Sequence, residues 1–138
     1  MMYHITIDGK PQPKERPKVY NGHGITPTRT RQYEARIAAE WQAKNYPTLD
    51  GPVRLDVEFY FPIPQGWSKR KKEQARHHFI VPAVRPDLDN LTKIIQDGLE
   101  KGGAYLNDKQ IVMVWSQKLY DDEPRTEVYV QRLSEETE

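Results

Sequence analysis

The chain of 138 residues is long enough for one domain with a sizeable hydrophobic core. It has no cysteine, which excludes disulfides, zinc–thiolate sites and thiol nucleophiles. No apolar run reaches membrane-spanning length and the amino terminus shows no secretory pattern, so a soluble, cytoplasmic protein with no membrane partner is expected. The net charge of +1 conceals segregation. Residues 10–36 carry seven Lys/Arg against Glu15 and Glu34, a local +5, and residues 68–78 carry five against Glu73, a local +4. Residues 121–138 carry seven acids against Arg125 and Arg132, a local −5. A near-neutral total therefore leaves room for a nucleic-acid surface.

In chain order, Tyr3, Ile5 and Ile7 alternate with His4, Thr6 and Asp8, the pattern of a short half-buried strand. Pro11, Pro13 and Pro17 then forbid a helix or an inner strand, so Gly9–Lys18 is an extended loop whose Lys14, Arg16 and Lys18 can reach outward to phosphate. A solvated loop would carry the same charges. Asn21–Gly24 reads as a turn. Pro27–Tyr33 leads into a helix running to about Tyr46, with Tyr33, Ile37 and Trp41 on its buried face and Ala35, Ala38 and Ala39 permitting close packing. Arg29 and Arg31 sit at its amino end, where the helix dipole disfavours cations, a placement that suggests binding. After the Asp50–Pro52 turn, Val53, Leu55, Val57, Phe59 and Phe61 alternate with Arg54, Asp56, Glu58 and Tyr60, the clearest strand and the expected centre of a sheet. Ser68 is placed to cap a short basic helix, Lys69 to about Arg76; Trp67 could pack beneath it or stack on a base, and core packing is the better expectation for one tryptophan. His77 and His78 point in different directions as neighbours and read as loop residues near phosphate rather than as joint ligands.

Arg85-Pro86-Asp87-Leu88-Asp89-Asn90-Leu91-Thr92-Lys93 is the most informative stretch. Leu88, Leu91, Ile95 and Leu99 follow steps of three and four, one apolar helical face, which Gly102-Gly103 ends. Asp89, Lys93 and Asp97 follow steps of four along a second face. Asp87 reaches the side of Asp89 only if the chain bends there, and Pro86 favours a bend. Two readings compete. In the first, the aspartates are helix caps and Lys93 merely pairs with Asp89. In the second, two acids at a bend with a lysine one turn on hold a hard divalent cation against a phosphate. Beyond the helix, Asp108 lies in a loop before a strand from about Ile111 to Tyr120; a last strand, about Thr126 to Leu133, follows a hairpin turn at Asp121–Pro124, and the tail Ser134–Glu138 is expected to fray. The expected fold is α+β, one domain over residues 1–138, with about four strands in a mixed or antiparallel sheet and helices packed on it.

The 85–93 stretch followed by Gly102–Ile111 resembles the RusA family of Holliday junction resolvases, its prophage-type members in particular. The resemblance extends to Lys10–Pro17, Pro27–Tyr33, Val53–Pro62, the basic segment after Trp67 and Asp121–Arg125, nearly the whole chain. It implies a homodimeric, Mg²⁺-dependent endonuclease that cuts four-way DNA junctions by paired nicks in recombination and repair, leaving 5′-phosphates. It carries the catalytic and metal-binding acids onto Asp87, Asp89 and Asp108, the essential lysine onto Lys93 and a supporting role onto Asn90. The DNA-binding residues expected here are Lys14, Arg16, Lys18, Arg29, Arg31, Lys69, Arg70, Lys71, Lys72 and Arg85. The chain departs from the family in having Asn107-Asp108 where two adjacent acids are common. Three alternatives stand beside this reading. The same residues serve a nuclease acting on other branched or duplex DNA. A non-catalytic DNA-binding module would use the aspartates as caps. The basic segments and Lys93 argue against a carboxylate-pair glycosidase.

Overall fold

In the computed structural model the described residues are 1–134; the expectation for the tail therefore lies, beyond Ser134, outside the described residues. The chain runs β1 (Met2–Asp8), β2 (Lys18–Tyr20), β3 (His23–Ile25), α1 (Thr28–Ala43), β4 (Val53–Pro62), α2 (Lys69–Arg76), α3 (Leu88–Gly102), a 3-10 turn (Asp108–Gln110), β5 (Ile111–Asp121) and β6 (Arg125–Arg132). Four strands form a mixed sheet in the order β1-β6-β4-β5, and β2 with β3 makes a separate small hairpin. This is the α+β domain that the patterning predicts. Among the described residues no helix is long and apolar enough to cross a membrane.

β4 is central because its alternation suits it to burial on one face. Val53, Leu55, Val57 and Phe59 are fully buried, whereas Arg54, Asp56 and Glu58 on the opposite face stay half-exposed. Ile5 and Ile7 of β1, Val128 and Val130 of β6, Ile37 and Trp41 of α1, and Leu91, Ile94, Ile95 and Leu99 of α3 complete one core. Each such Leu or Ile, taken fully out of water, contributes about 1.5–3 kcal/mol before chain entropy is counted. The apolar stripe of α3 is thus what holds the helix on the sheet.

Two features differ from the sequence reading. Asp121–Pro124 is not a hairpin turn. β5 runs parallel to β4 on one side, β6 runs antiparallel to it on the other, and the connection passes over the end of β4, where Pro62 pairs with Asp121 and Tyr60 with Arg125. Arg125 pins this crossover, bonding to Asp121 at 2.9 Å while its guanidinium lies 4.1 Å from the Tyr60 ring centre. Turn residues look the same whether the strands they join are paired or separated by a third. The second difference lies at the helices. α1 ends at Ala43, before the expected Tyr46; of the alanines expected to permit close packing, Ala38 faces Gly102 of α3, whereas Ala35 and Ala39 are exposed. Closeness comes from the other helix: a Cβ on Gly98 would sit 2.7 Å from Ile37 Cβ, and one on Gly102 would sit 2.8 Å from Ala38 Cα. This approach sets Glu34, one turn earlier on α1, against the Asp97–Lys101 side of α3. Gly103 then ends α3 in the left-handed conformation, φ +84°.

Candidate active site

The bend before α3 forms as expected. Asp87 occupies the N-cap position in an extended conformation, and its carbonyl accepts the first helical bond, from Leu91 N–H at 3.1 Å. Its carboxylate makes no capping hydrogen bond, so the cap explanation leaves this side chain without work. The entry is held instead by Lys118 of β5, whose ammonium donates to the carbonyls of Val84 at 2.6 Å and Pro86 at 2.9 Å. Nothing in the sequence pattern marks Lys118, because its partners are backbone atoms far away in the chain.

Asp87 and Asn90 open into a cleft of about 890 Å³ between the Gly9–Pro17 loop and the head of α3. Lys10, Lys14, Arg16, Arg29 and Arg85 line the same cleft, so one carboxylate shares it with five cations, of which Lys14 is taken up by Glu34 and Asp97. Of these, Lys10 is absent from the DNA-binding residues expected from the sequence, although it lies in the +5 segment. An adjoining concavity of about 530 Å³ holds Asp89 and Lys93, with Val114 and Ser116 of β5 along its wall. Among the described residues the carboxylate of Asp89 accepts only the backbone N–H of Asn90, at 2.9 Å. Asp108 enters from the 3-10 turn, 3.4 Å from the Lys93 ammonium. That turn is rigidly built: Asn107 accepts from Lys109 N–H, Gln110 reaches back to Asn107 N–H, and Asp108 N–H donates to Glu100 at 2.9 Å. Asn107 thus serves as a cap that aims Asp108.

Lys93 does not pair with Asp89. Its ammonium lies between Asp97, at 3.0 Å, and Asp108. The contact with Asp97 raises the Lys93 pKa above the ordinary lysine value, partial burial opposing and Asp108 adding to it. At neutral pH Lys93 is therefore a cation and a donor, not a base. Lys14 also differs from expectation. Instead of reaching outward its ammonium turns in, bonding to Glu34 and Asp97 at 2.7 Å each. Burial alone would lower its pKa, but the two carboxylates outweigh that and raise it. Asp97 shows the converse: desolvation works against its charge, and Lys14 and Lys93 overcome this and lower its pKa.

The remaining predicted cations are dispersed. Lys69, Arg70, Lys71 and Lys72 wrap the first turn of α2 and do not line the Asp87 cleft, with Lys71 lying 4.1 Å over the Trp67 ring. Ser68 caps that helix through Lys71 N–H, and Trp67 packs edge-on against Tyr120, both as expected. Arg31 bonds back to Thr28, and Lys18 belongs to the backbone of β2. His77 pairs with Glu73 at 2.9 Å on α2. Asp87, Asp89 and Asp108 offer oxygen ligands of the kind a hard cation would take, and the first two carry no role in holding side chains together. Among the described residues, however, no three acidic or histidine side chains converge as a ready-made metal cage.

The sequence model of the family described as endodeoxyribonuclease RusA matches residues 8–131. A Bacillus subtilis (strain 168) protein, YqaN, described as uncharacterized, is 35% identical over 139 residues, spanning 94% of this chain and 96% of its own. A Lactococcus phage r1t protein named crossover junction endodeoxyribonuclease rusA is 35% identical over 79 residues, 57% of this chain and 53% of that protein. With a family match over residues 8–131, which take in β4, β5, both long helices and every residue of the bend, the chain belongs to the RusA endodeoxyribonuclease family.

Proposed function

We propose that the protein is a Mg²⁺-dependent, structure-specific endodeoxyribonuclease that resolves four-way DNA junctions by paired hydrolytic nicks, working as a homodimer in recombination and repair. The observation that carries this reading is the pairing of a cation-ringed cleft at Asp87 with a lysine held beside Asp108 on the next turn. The phage relative's name supports a junction as the substrate. Mg²⁺ commonly binds through one or two carboxylates together with substrate phosphate, so Asp87, Asp89 and Asp108 suffice as its ligands without closing a cage of three. When bound, the ion would relieve the repulsion between carboxylate and phosphate and activate a water.

The chain's own groups do the rest. Arg16, Arg29 and Arg85 engage backbone phosphates, which places the strand without reading its sequence. Asn90 shares the cleft with Asp87 and offers an amide donor to a phosphate oxygen. Lys93 brings a full positive charge to the non-bridging oxygens as charge builds there in the transition state. An ammonium has three donors; Asp97 and Asp108 engage two, and one remains for substrate. The water oxygen bonds to phosphorus as the bond to the 3′-oxygen breaks, leaving a 5′-phosphate and a 3′-hydroxyl.

A second copy fits the outer edge of β5. Among the described residues this strand pairs only with β4, and Val112, Met113, Val114 and Trp115 lie exposed along it. An unpaired strand edge with a run of exposed apolar side chains favours association. Val114 also borders the concavity of Asp89 and Lys93, so two sites would face a common junction.

The test compares a mobile four-way junction with its matched linear duplex, each in Mg²⁺ and in EDTA. Symmetric paired nicks confined to the junction and to Mg²⁺ are expected. Equal cutting of flaps, nicked or plain duplex replaces the junction with another DNA substrate. Tight binding with no product in Mg²⁺ overturns the enzyme and leaves a binding module.

A further inference from the structure

Behind Lys93 runs an alternating chain of charges that the catalytic reading does not use. Lys101 pairs with Glu34; Glu34 also takes Lys14 at 2.7 Å; Lys14 takes Asp97 at 2.7 Å; Asp97 takes Lys93 at 3.0 Å; Lys93 takes Asp108 at 3.4 Å. The links come from α1, the Gly9–Pro17 loop, α3 and the 3-10 turn. The row is buried at its middle and open at both ends: the Glu34 side chain is 1% exposed and Asp97 19%, against 54% for Lys101 and 46% for Lys93.

A buried carboxylate such as Glu34 is tolerated only when paired. Here it is paired twice, and the glycine-mediated approach of α1 to α3 fixes where those partners stand. The loop that carries Lys14 is tied down independently, Lys14 N–H donating to the Asn90 carbonyl at 2.9 Å and Glu15 N–H to Thr30 at 3.2 Å. Lys14 is therefore a fixed point, and it engages one oxygen of Asp97 while Lys93 engages the other. Asp97 in turn stands closer to the Lys93 ammonium than Asp108 does.

We propose that Lys14 and Asp97, backed by Glu34, are positioning residues that hold Lys93 for phosphodiester cleavage. This rests on the nuclease reading above, and Lys93 alone among them touches substrate. A lysine stem is long and flexible, and an unrestrained ammonium would collapse onto the nearest carboxylate, Asp108 or, one turn back, Asp89. That collapse would block a metal ligand and remove the donor meant for phosphate. Asp97 competes for the ammonium and keeps it between the two groups; Lys14 keeps Asp97 from swinging away. Pre-ordered charge of this kind is what electrostatic catalysis requires.

The test is a double-mutant cycle read by single-turnover junction cleavage at saturating enzyme and Mg²⁺, beside thermal melts and junction affinity. Asp97→Asn should slow cleavage tenfold or more with affinity and melting near wild type. Lys14→Met, which keeps the packed stem and removes the charge, should slow it in the same direction. The decisive readout is coupling: Asp97→Asn added to Lys93→Ala should cost nothing further, because it acts only through Lys93. A purely structural brace would instead give losses that multiply in the double variant, and that result overturns the proposal. So does an Asp97→Asn protein cutting within twofold of wild type beside a slow Lys93→Ala protein, which leaves the nuclease reading standing. A Lys93→Ala protein that cuts normally removes Lys93 from catalysis and the brace with it. If Asp97→Asn does not melt cooperatively, Lys14→Met carries the same cycle with Lys93→Ala.

Discussion

Asp87 separates a helix cap from a functional carboxylate in a way that can be measured. It sits at the N-cap of α3 in the right backbone conformation, yet its side chain accepts no bond from the first turn. Two terms could link it to stability. A cap hydrogen bond is worth about 1 kcal/mol, with a range of roughly 0.5–2, and asparagine supplies it as well as aspartate does. The charge–dipole interaction is worth about 0.3–1 kcal/mol, and asparagine loses it just as alanine does. The difference between Asp87→Asn and Asp87→Ala therefore isolates the cap bond, since the dipole contribution cancels. With no bond to lose, the two variants should melt within about 1 °C of one another. A working cap would separate them by about 3–4 °C, taking roughly that shift per kcal/mol for a domain of this size. The melts belong in EDTA, so that metal binding does not add to stability. In Mg²⁺, both variants should lose at least about a hundredfold in single-turnover cleavage, or roughly 2.7 kcal/mol of barrier. An alanine variant that melts several degrees below the asparagine one and still cuts would return Asp87 to the role of a cap.

Changing Lys69, Lys71 and Lys72 together to alanine should weaken binding across DNA sequences and lower the slope of log affinity against log salt by about three, roughly one for each phosphate left without its lysine. An unchanged slope takes α2 out of the DNA surface. Trp115→Lys should shift sedimentation from dimer to monomer and replace paired nicks with single ones, and a wild-type protein that sediments as a monomer at assay concentration defeats the β5 interface. Glu127 offers a pH test away from the site. Partial burial works against its charge, but bonds from Thr6, Arg125 and His4 prevail and lower its pKa. Its contribution is thus complete above the ordinary glutamate value of about 4.3 and fades as pH falls through the lowered one. Glu127→Gln should be less stable than wild type at pH 7 and converge with it in acid; a gap constant with pH would refute the linkage.

What was legible in the sequence is what depends on neighbours in the chain. The α3 stripe of Leu91, Ile95 and Leu99, the alternation of β4, the Ser68 cap and the Asp87 bend all follow from periodicity or from local hydrogen bonding. What was not legible depends on groups distant in sequence. The order of β5 and β6 around β4 is settled by which edges meet, and the turn between them carries no mark of it. Gly98 reads as an ordinary weak point in a helix until Ile37 is seen against it. As a residue type Lys14 looks like its basic neighbours Arg16 and Lys18, and only a buried carboxylate twenty residues on turns it inward. The ends of the site were therefore readable at α3, while the support behind Lys93 was not.

That support also bears on how a highly acidic site could attract DNA at all. Acids within a few ångströms of a phosphate repel it strongly where water is sparse. Lys101, Lys14 and Lys93 are matched against Glu34, Asp97 and Asp108, so these six groups carry no net charge. What remains at the head of α3 is Asp87, Asp89 and Glu15, which lies 4.0 Å from Arg29, against Lys10, Arg16, Arg29 and Arg85, a balance of +1. Salt screens exposed charges over about 8 Å under physiological conditions, so an approaching strand responds chiefly to this local balance. Under the proposed function, DNA is drawn to the cleft before any metal arrives, and cutting waits on the metal. Binding and cleavage then separate experimentally, with junction bound in EDTA and left whole.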